Sequence, residues 1–146
     1  QAAHEHEGFA FIEILQNCVI FNNNVFEHIV GKEVRDDRQV DLRPGQPMVF
    51  GKEADKGLRF LPDSIEVVAP DQADVWDPTG ETGARAFRIC QGSERGEVPV
   101  PMGIFRQVQR PQLEQDIHAQ VAEATAKQGE GTLEALLSAG DTWNVS

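Results

Sequence analysis

The chain has 146 residues, 40% of them hydrophobic, and a formal net charge of −11. That is the length of one ordinary domain or of part of a larger one. The acidic excess repels phosphate backbones and anionic headgroups, so neither nucleic acid nor a membrane is expected as a partner.

No apolar run approaches the roughly 18 residues that cross a bilayer. The opening QAAHEHEG lacks the basic region and apolar stretch of a secretory signal. Two cysteines make no disulfide framework, so a reducing cytoplasm is the expected location. Residues 1–7 read as the last turns of a helix, which Gly8 suits as a C-terminus. On that helix His4 and His6 point about 200° apart, so they read as a solvated end and not as a metal pair.

The next stretch, residues 9–22, reads FAFIEILQNCVIFN. Its nearly continuous apolar start predicts a strand buried on both faces, as in a parallel sheet covered by helices. Such a strand needs neighbours, and no further βαβ unit follows, so the rest of its sheet is expected from elsewhere. Asn22, Asn23 and Asn24 signal a turn, and residues 25–30 a short helix closed by Gly31. The charged KEVRDDRQ is expected to be exposed. Short strands and turns follow in QVDLRPGQPMVFG, GLRFL and SIEVVA, with Pro44-Gly45 and Pro47 favouring edge or hairpin geometry.

Residues 70–83 read as an acidic surface loop, and 84–90 fit no single element. Residues 97–102 predict extended chain, and GIFRQVQ a strand. Pro111 marks a helix start, with Leu113, Ile117, Val121 and Ala124 on one face. Gly129–Gly131 breaks that helix. Thr132 caps a last one whose Leu133, Leu136 and Leu137 are expected to face inward, and Trp143 is expected to dock on the body.

Cys18 has three readings on chemistry alone. It is a buried core thiol, a nucleophile, or a soft ligand to iron or zinc. One cysteine makes neither a catalytic dyad nor a metal site by itself, and no Cys/His signature accompanies it. Cys90 has no supporting neighbours and reads as a partly buried thiol. The acidic patches lack the spacing of a calcium loop. Gly-rich phosphate cradles and a GxSxG serine are absent. No catalytic residue is expected, and a non-catalytic interaction or assembly domain remains the alternative to any enzyme reading.

Four blocks in order, EILQNCVIFNNNVFE, GQPMVFG, PMGIFRQVQRP and LLSAGDTWNV, carry a more specific signal. Together they resemble the C-terminal half of the thiamine-diphosphate-binding beta subunit of 2-oxoacid:ferredoxin oxidoreductases, most of all the 2-oxoglutarate branch. The resemblance implies an α/β fold: the terminal strand of a thiamine-diphosphate-binding parallel sheet, followed by an irregular α+β C-terminal extension. Residues 1–24 would hold the last helix end, the strand and a cluster loop, and residues 25–146 the extension.

It also implies oxidative decarboxylation of a 2-oxoacid to an acyl-CoA, with electrons passed through a four-iron, four-sulfur (4Fe–4S) cluster to ferredoxin. Cys18 would be the fourth cluster ligand and Asn22 would line the cofactor site. The other three cysteines, thiamine diphosphate and Mg2+ would be held by the remainder of the beta subunit. The alpha subunit, ferredoxin, coenzyme A and the 2-oxoacid are the implied partners and substrates. The chain by itself is not expected to be active.

Overall fold

The computed structural model describes residues 1–80, 82–141 and 143. The chain folds as two compact units, Glu13–Val108 and a second that joins Gln1–Ile12 to Gln109–Ser146. The fold is mixed α/β, as expected.

The core lies in the Glu13–Val108 unit. Two short helices, α2 (Glu27–Val30) and α3 (Arg35–Arg38), lead into β1 (Gln39–Leu42). In QVDL the alternation is of period two: Val40 and Leu42 are buried while Asp41 is exposed. β1 pairs in parallel with β5 (Val100–Gly103), Val40 opposite Pro101. Pro101 is tolerated because β5 is an edge strand, where one missing N–H need not interrupt a ladder.

β2 (Val49–Phe50), β3 (Lys56–Phe60) and β4 (Ile65–Val68) form an antiparallel sheet in chain order. The buried cluster joins both sheets: Val40, Leu42, Met48, Phe50, Leu58, Trp76, Ile89 and Val98. Gly57 is required here by close approach, since a Cβ on it would stand 2.5 Å from the Cβ of Ala73. Gly57→Ala is therefore expected to cost about 1–3 kcal/mol through overpacking, read as a lower urea midpoint at unchanged slope.

The segment predicted as an acidic surface loop is instead tied into this core. Gly45 N–H donates to Trp76 O at 2.9 Å, Trp76 N–H to Gln46 O at 2.8 Å, and Met48 N–H to Asp74 O at 3.0 Å. Trp76 is 1% exposed. Its Nε1 donates to Ile104 O at 2.7 Å and its ring stacks on Phe60. Asp74 Oδ2 accepts from Phe60 N–H at 2.9 Å and from Arg85 Nη2 at 3.1 Å. Acidic composition concealed this, because one tryptophan and one carboxylate with fixed partners outweigh their solvated neighbours. Glu81, in the same segment, lies outside the described residues.

The ambiguous 84–90 stretch is the start of an eleven-residue helix, α4 (Ala84–Glu94), which buries Ile89. The strand predicted for GIFRQVQ (103–109) is not formed beyond its first residue: β5 lies in the preceding stretch, expected only to be extended, and ends at Gly103. Gly103 has φ +106°, Ile104 N–H donates to Leu42 O, and Gln107 N–H turns to Pro78 O. The backbone thus leaves the sheet to meet Trp76 and the 78–80 turn.

The strand predicted over residues 9–15 is not formed either. Residues 9–17 join no ladder, and Phe9, Phe11, Ile12 and Ile14 are exposed. A strand covered on both faces draws its stability from neighbours on either side, and neither sheet among the described residues supplies them.

The other unit holds α1 (Ala2–Glu5), α5 (Leu113–Gln128) and α6 (Leu133–Leu137). Residues 1–7 are helical only over Ala2–Glu5, which ends at an extended His6, so Gly8 lies past the helix end it was expected to form. The other predicted punctuation is in place: Gly129 ends α5 with positive φ, and Thr132 Oγ1 accepts from Ala135 N–H at 3.1 Å. The expected burial is not. Leu113, Ile117, Val121, Leu133, Leu136 and Leu137 are exposed, and Trp143, expected to dock, is 83% exposed. Of the block LLSAGDTWNV, Thr142, Asn144 and Val145 lie outside the described residues. No helix among the described residues is long and apolar enough to cross a membrane.

Candidate functional site

Cys18 sits at the head of a loop closed by asparagines on both sides. Asn17 Nδ2 donates to Asn23 Oδ1 at 2.9 Å, and Asn17 Oδ1 accepts from Asn24 N–H at 2.6 Å. Asn24 has φ +60°, the left-handed region that Asn enters more readily than other side-chain-bearing residues. Asn22 N–H donates to Cys18 O at 2.9 Å, so the chain reverses within five residues. Asn24 O then accepts from Glu27 N–H at the start of α2 (3.0 Å).

The reversal also bears on the thiol's acidity. The N–H groups of Phe21, then Ile20, then Asn22 hold the Cys18 thiol below its ordinary pKa, because a hydrogen bond to the charged form favours it. Cys18 is free and exposed, so the buried-core reading is excluded. Val19, Ile20 and Phe21 are also exposed, Phe21 at 90%.

Asn22 contributes its backbone to the closure. Asn17, which the sequence reading did not single out, supplies the side-chain clamp. Its signal was present as asparagine immediately before the cysteine and again at positions 22–24.

Cys90, on α4, behaves oppositely. It is exposed and not the partly buried thiol expected, but desolvation by neighbouring atoms and then the Glu13 carboxylate push its thiol up. Iodoacetamide at neutral pH is therefore expected to modify Cys18 well before Cys90 in the native chain, since the thiolate is the reacting form. Peptide mass spectrometry checks it: equal rates, or Cys90 first, would show that the loop N–H groups do not serve the sulfur.

No group of three or more metal-ligating side chains forms among the described residues. A concavity of about 240 Å³ lies beside Trp76, with Asp77, Arg85 and Arg106 in its wall. It falls below the usual volume of a small-molecule site. Arg85 is paired with Asp74, and Arg106 donates to Gly80 O at 2.9 Å. The Cys18 loop is thus the feature with chemistry to offer.

Comparison with known proteins gives this loop its context. Over 152 aligned positions, 99% of the chain, it is 34% identical to "2-oxoglutarate oxidoreductase subunit KorB" of Mycobacterium tuberculosis. The chain is a relative of KorB. It spans about 40% of that subunit's length, so what the whole subunit does is more than these residues alone encode. No family model matches the chain, and no solved structure matches it. At 99% coverage the KorB alignment takes in the Cys18 loop, the Trp76 core and the terminal helices alike.

Proposed function

We propose that the chain is the C-terminal part of the beta subunit of a 2-oxoacid:ferredoxin oxidoreductase, with 2-oxoglutarate as substrate. The observation that carries this reading is identity to KorB along nearly the whole chain. In this reading residues 1–24 belong to the thiamine-diphosphate-binding domain and residues 25–146 to its extension. The reaction would be oxidative decarboxylation of the 2-oxoacid to its coenzyme A thioester, with electrons leaving to ferredoxin in the cytoplasm.

The implied groups fit these residues to different degrees. For the 4Fe–4S cluster the fit is that of one ligand. Cys18 presents an exposed sulfur whose ionised form is favoured by three N–H donors, as outer-shell hydrogen bonding of a cluster thiolate requires. A four-iron cluster takes four cysteines, so the other three would come from the remainder of the subunit. For thiamine diphosphate and Mg2+ the fit is absent. No acidic group of suitable size and no Gly-rich diphosphate cradle is found among the described residues. That cofactor would be held elsewhere in the subunit, with Asn22 at most lining its site.

When bound, the cluster supplies one-electron transfer. The work of this chain is to place a thiolate. Asn17 clamps Asn23 and Asn24, and the clamp fixes the reversal at residues 18–22, whose Phe21, Ile20 and Asn22 N–H groups favour the ionised sulfur. Those donors stabilise negative charge on sulfur, which favours the ligated form and tunes any redox potential read through it.

The test uses the intact subunit with its companion chains. Iron and acid-labile sulfide are expected, together with reduction of ferredoxin that depends on both 2-oxoglutarate and coenzyme A. An enzyme that is iron-free, or inert toward every 2-oxoacid, would remove the reading.

A further inference from the structure

Asn17 uses both ends of its carboxamide, and it uses them across the Cys18 loop. Nδ2 donates to Asn23 Oδ1 at 2.9 Å, while Oδ1 accepts from Asn24 N–H at 2.6 Å. A neutral carboxamide supplies donor and acceptor from one planar group, which a hydroxyl of similar reach does not. Inside this clamp a second closure joins Cys18 to Asn22 through an antiparallel bridge, with Asn22 N–H donating to Cys18 O. The loop thus closes twice, and each closure is made by the chain itself.

The two ends of the loop differ in anchorage. Downstream, Asn24 O accepts from Glu27 N–H at the start of α2. Ile29 O on α2 then accepts from Gln39 Nε2 at 3.1 Å, beside the buried Val40 of β1. Upstream, residues 9–17 join no ladder. Asn17 therefore ties a segment without a sheet to a segment fixed on the core, and Cys18 sits between them. A ligand already held in place costs less ordering when it binds.

We propose that Asn17 is a positioning residue for Cys18, and that its two hydrogen bonds govern how firmly a cluster is retained by that thiolate. This rests on reading Cys18 as a cluster ligand. It goes further in giving the work of holding that ligand to one side chain, and in stating which chemistry at position 17 suffices. Asn17→Leu keeps the size and makes neither bond. Asn17→Asp keeps the acceptor for Asn24 N–H and, with the Asn23 amide turned over, accepts from Asn23 Nδ2 as well. It also sets a negative charge next to the ligand.

The experiment uses the full-length subunit with its companion chains, and follows iron release to a chelator together with the midpoint potential of the cluster. Asn17→Leu is expected to speed iron release by about 10–100-fold, the scale of outer-shell changes at metal sites. Asn17→Asp is expected to restore slow release and to move the potential to more negative values, because added negative charge disfavours the reduced form. Release at the unaltered rate in Asn17→Leu overturns the proposal, as does release in Asn17→Asp as fast as in Asn17→Leu. If Asn17→Leu does not fold, Asn17→Asp still decides: slow release with a lowered potential supports the role, and rapid release or an unmoved potential removes it. An unaltered subunit that holds no iron removes the functional reading and this role together. Iron in the unaltered subunit with no response at position 17 leaves that reading standing and removes the role alone.

Discussion

If Cys18 is the cluster ligand proposed above, Cys18→Ser in the intact subunit is expected to lower iron content and ferredoxin reduction together. Serine keeps the size of the side chain and replaces a soft, easily ionised sulfur by a hydroxyl that stays protonated at neutral pH. The N–H donors of Phe21, Ile20 and Asn22 that hold the Cys18 thiol below its ordinary range then face a neutral oxygen with nothing to stabilise. Outer-shell changes alone shift metal affinity or activity by about 10–100-fold, so loss of the ligand itself should do no less. The fold is not expected to change, because Cys18 is exposed and the loop is held by Asn17, Asn23 and Asn24. Cys90→Ser serves as the control and should leave iron content intact. A Cys18→Ser subunit with full iron and undiminished ferredoxin reduction would sink the ligand assignment.

The second large effect belongs to stability. Trp76→Ala removes the largest fully buried side chain, its stacking on Phe60 and the hydrogen bond that satisfies Ile104 O. Buried aromatic truncations cost about 3–5 kcal/mol, and a domain of this kind has about 5–15 kcal/mol in all. The variant is therefore expected to unfold at a much lower urea concentration, or not to fold. Trp76→Phe separates the contributions: it keeps an aromatic ring and leaves Ile104 O without its donor, at about 1–3 kcal/mol. If Trp76→Ala unfolds like the parent, the segment 70–83 is after all a surface loop. Circular dichroism reports both variants without relying on tryptophan emission.

How much of this was legible beforehand can be judged residue by residue. Thr132 as a cap, Gly129 as a helix end, the strands in QVDL and SIEVV, and the long helix behind Pro111 all follow from local chemistry. Each depends only on neighbours within a turn or a pleat. The blocks around Cys18 and at the C-terminus also carried the resemblance that KorB bears out. The site was half legible. The cysteine was singled out at once, but its clamp by Asn17 and its three N–H donors exist only once the loop closes.

By itself, then, the sequence determined the acidic character, the helix punctuation and the kinship to an oxidoreductase subunit. Those are properties of composition and of residues close along the chain. Tertiary structure decided three things that local pattern could not. It drew Trp76 and Asp74 out of an acidic segment into the core, because their partners at Gln46, Met48, Phe60, Arg85 and Ile104 lie far off in sequence. It ended β5 at Gly103, where the backbone turns from the sheet to that tryptophan. And it left residues 9–15 and the faces of α5 and α6 exposed. An apolar pattern states that a surface is to be covered; only a neighbouring surface, in this chain or another, does the covering.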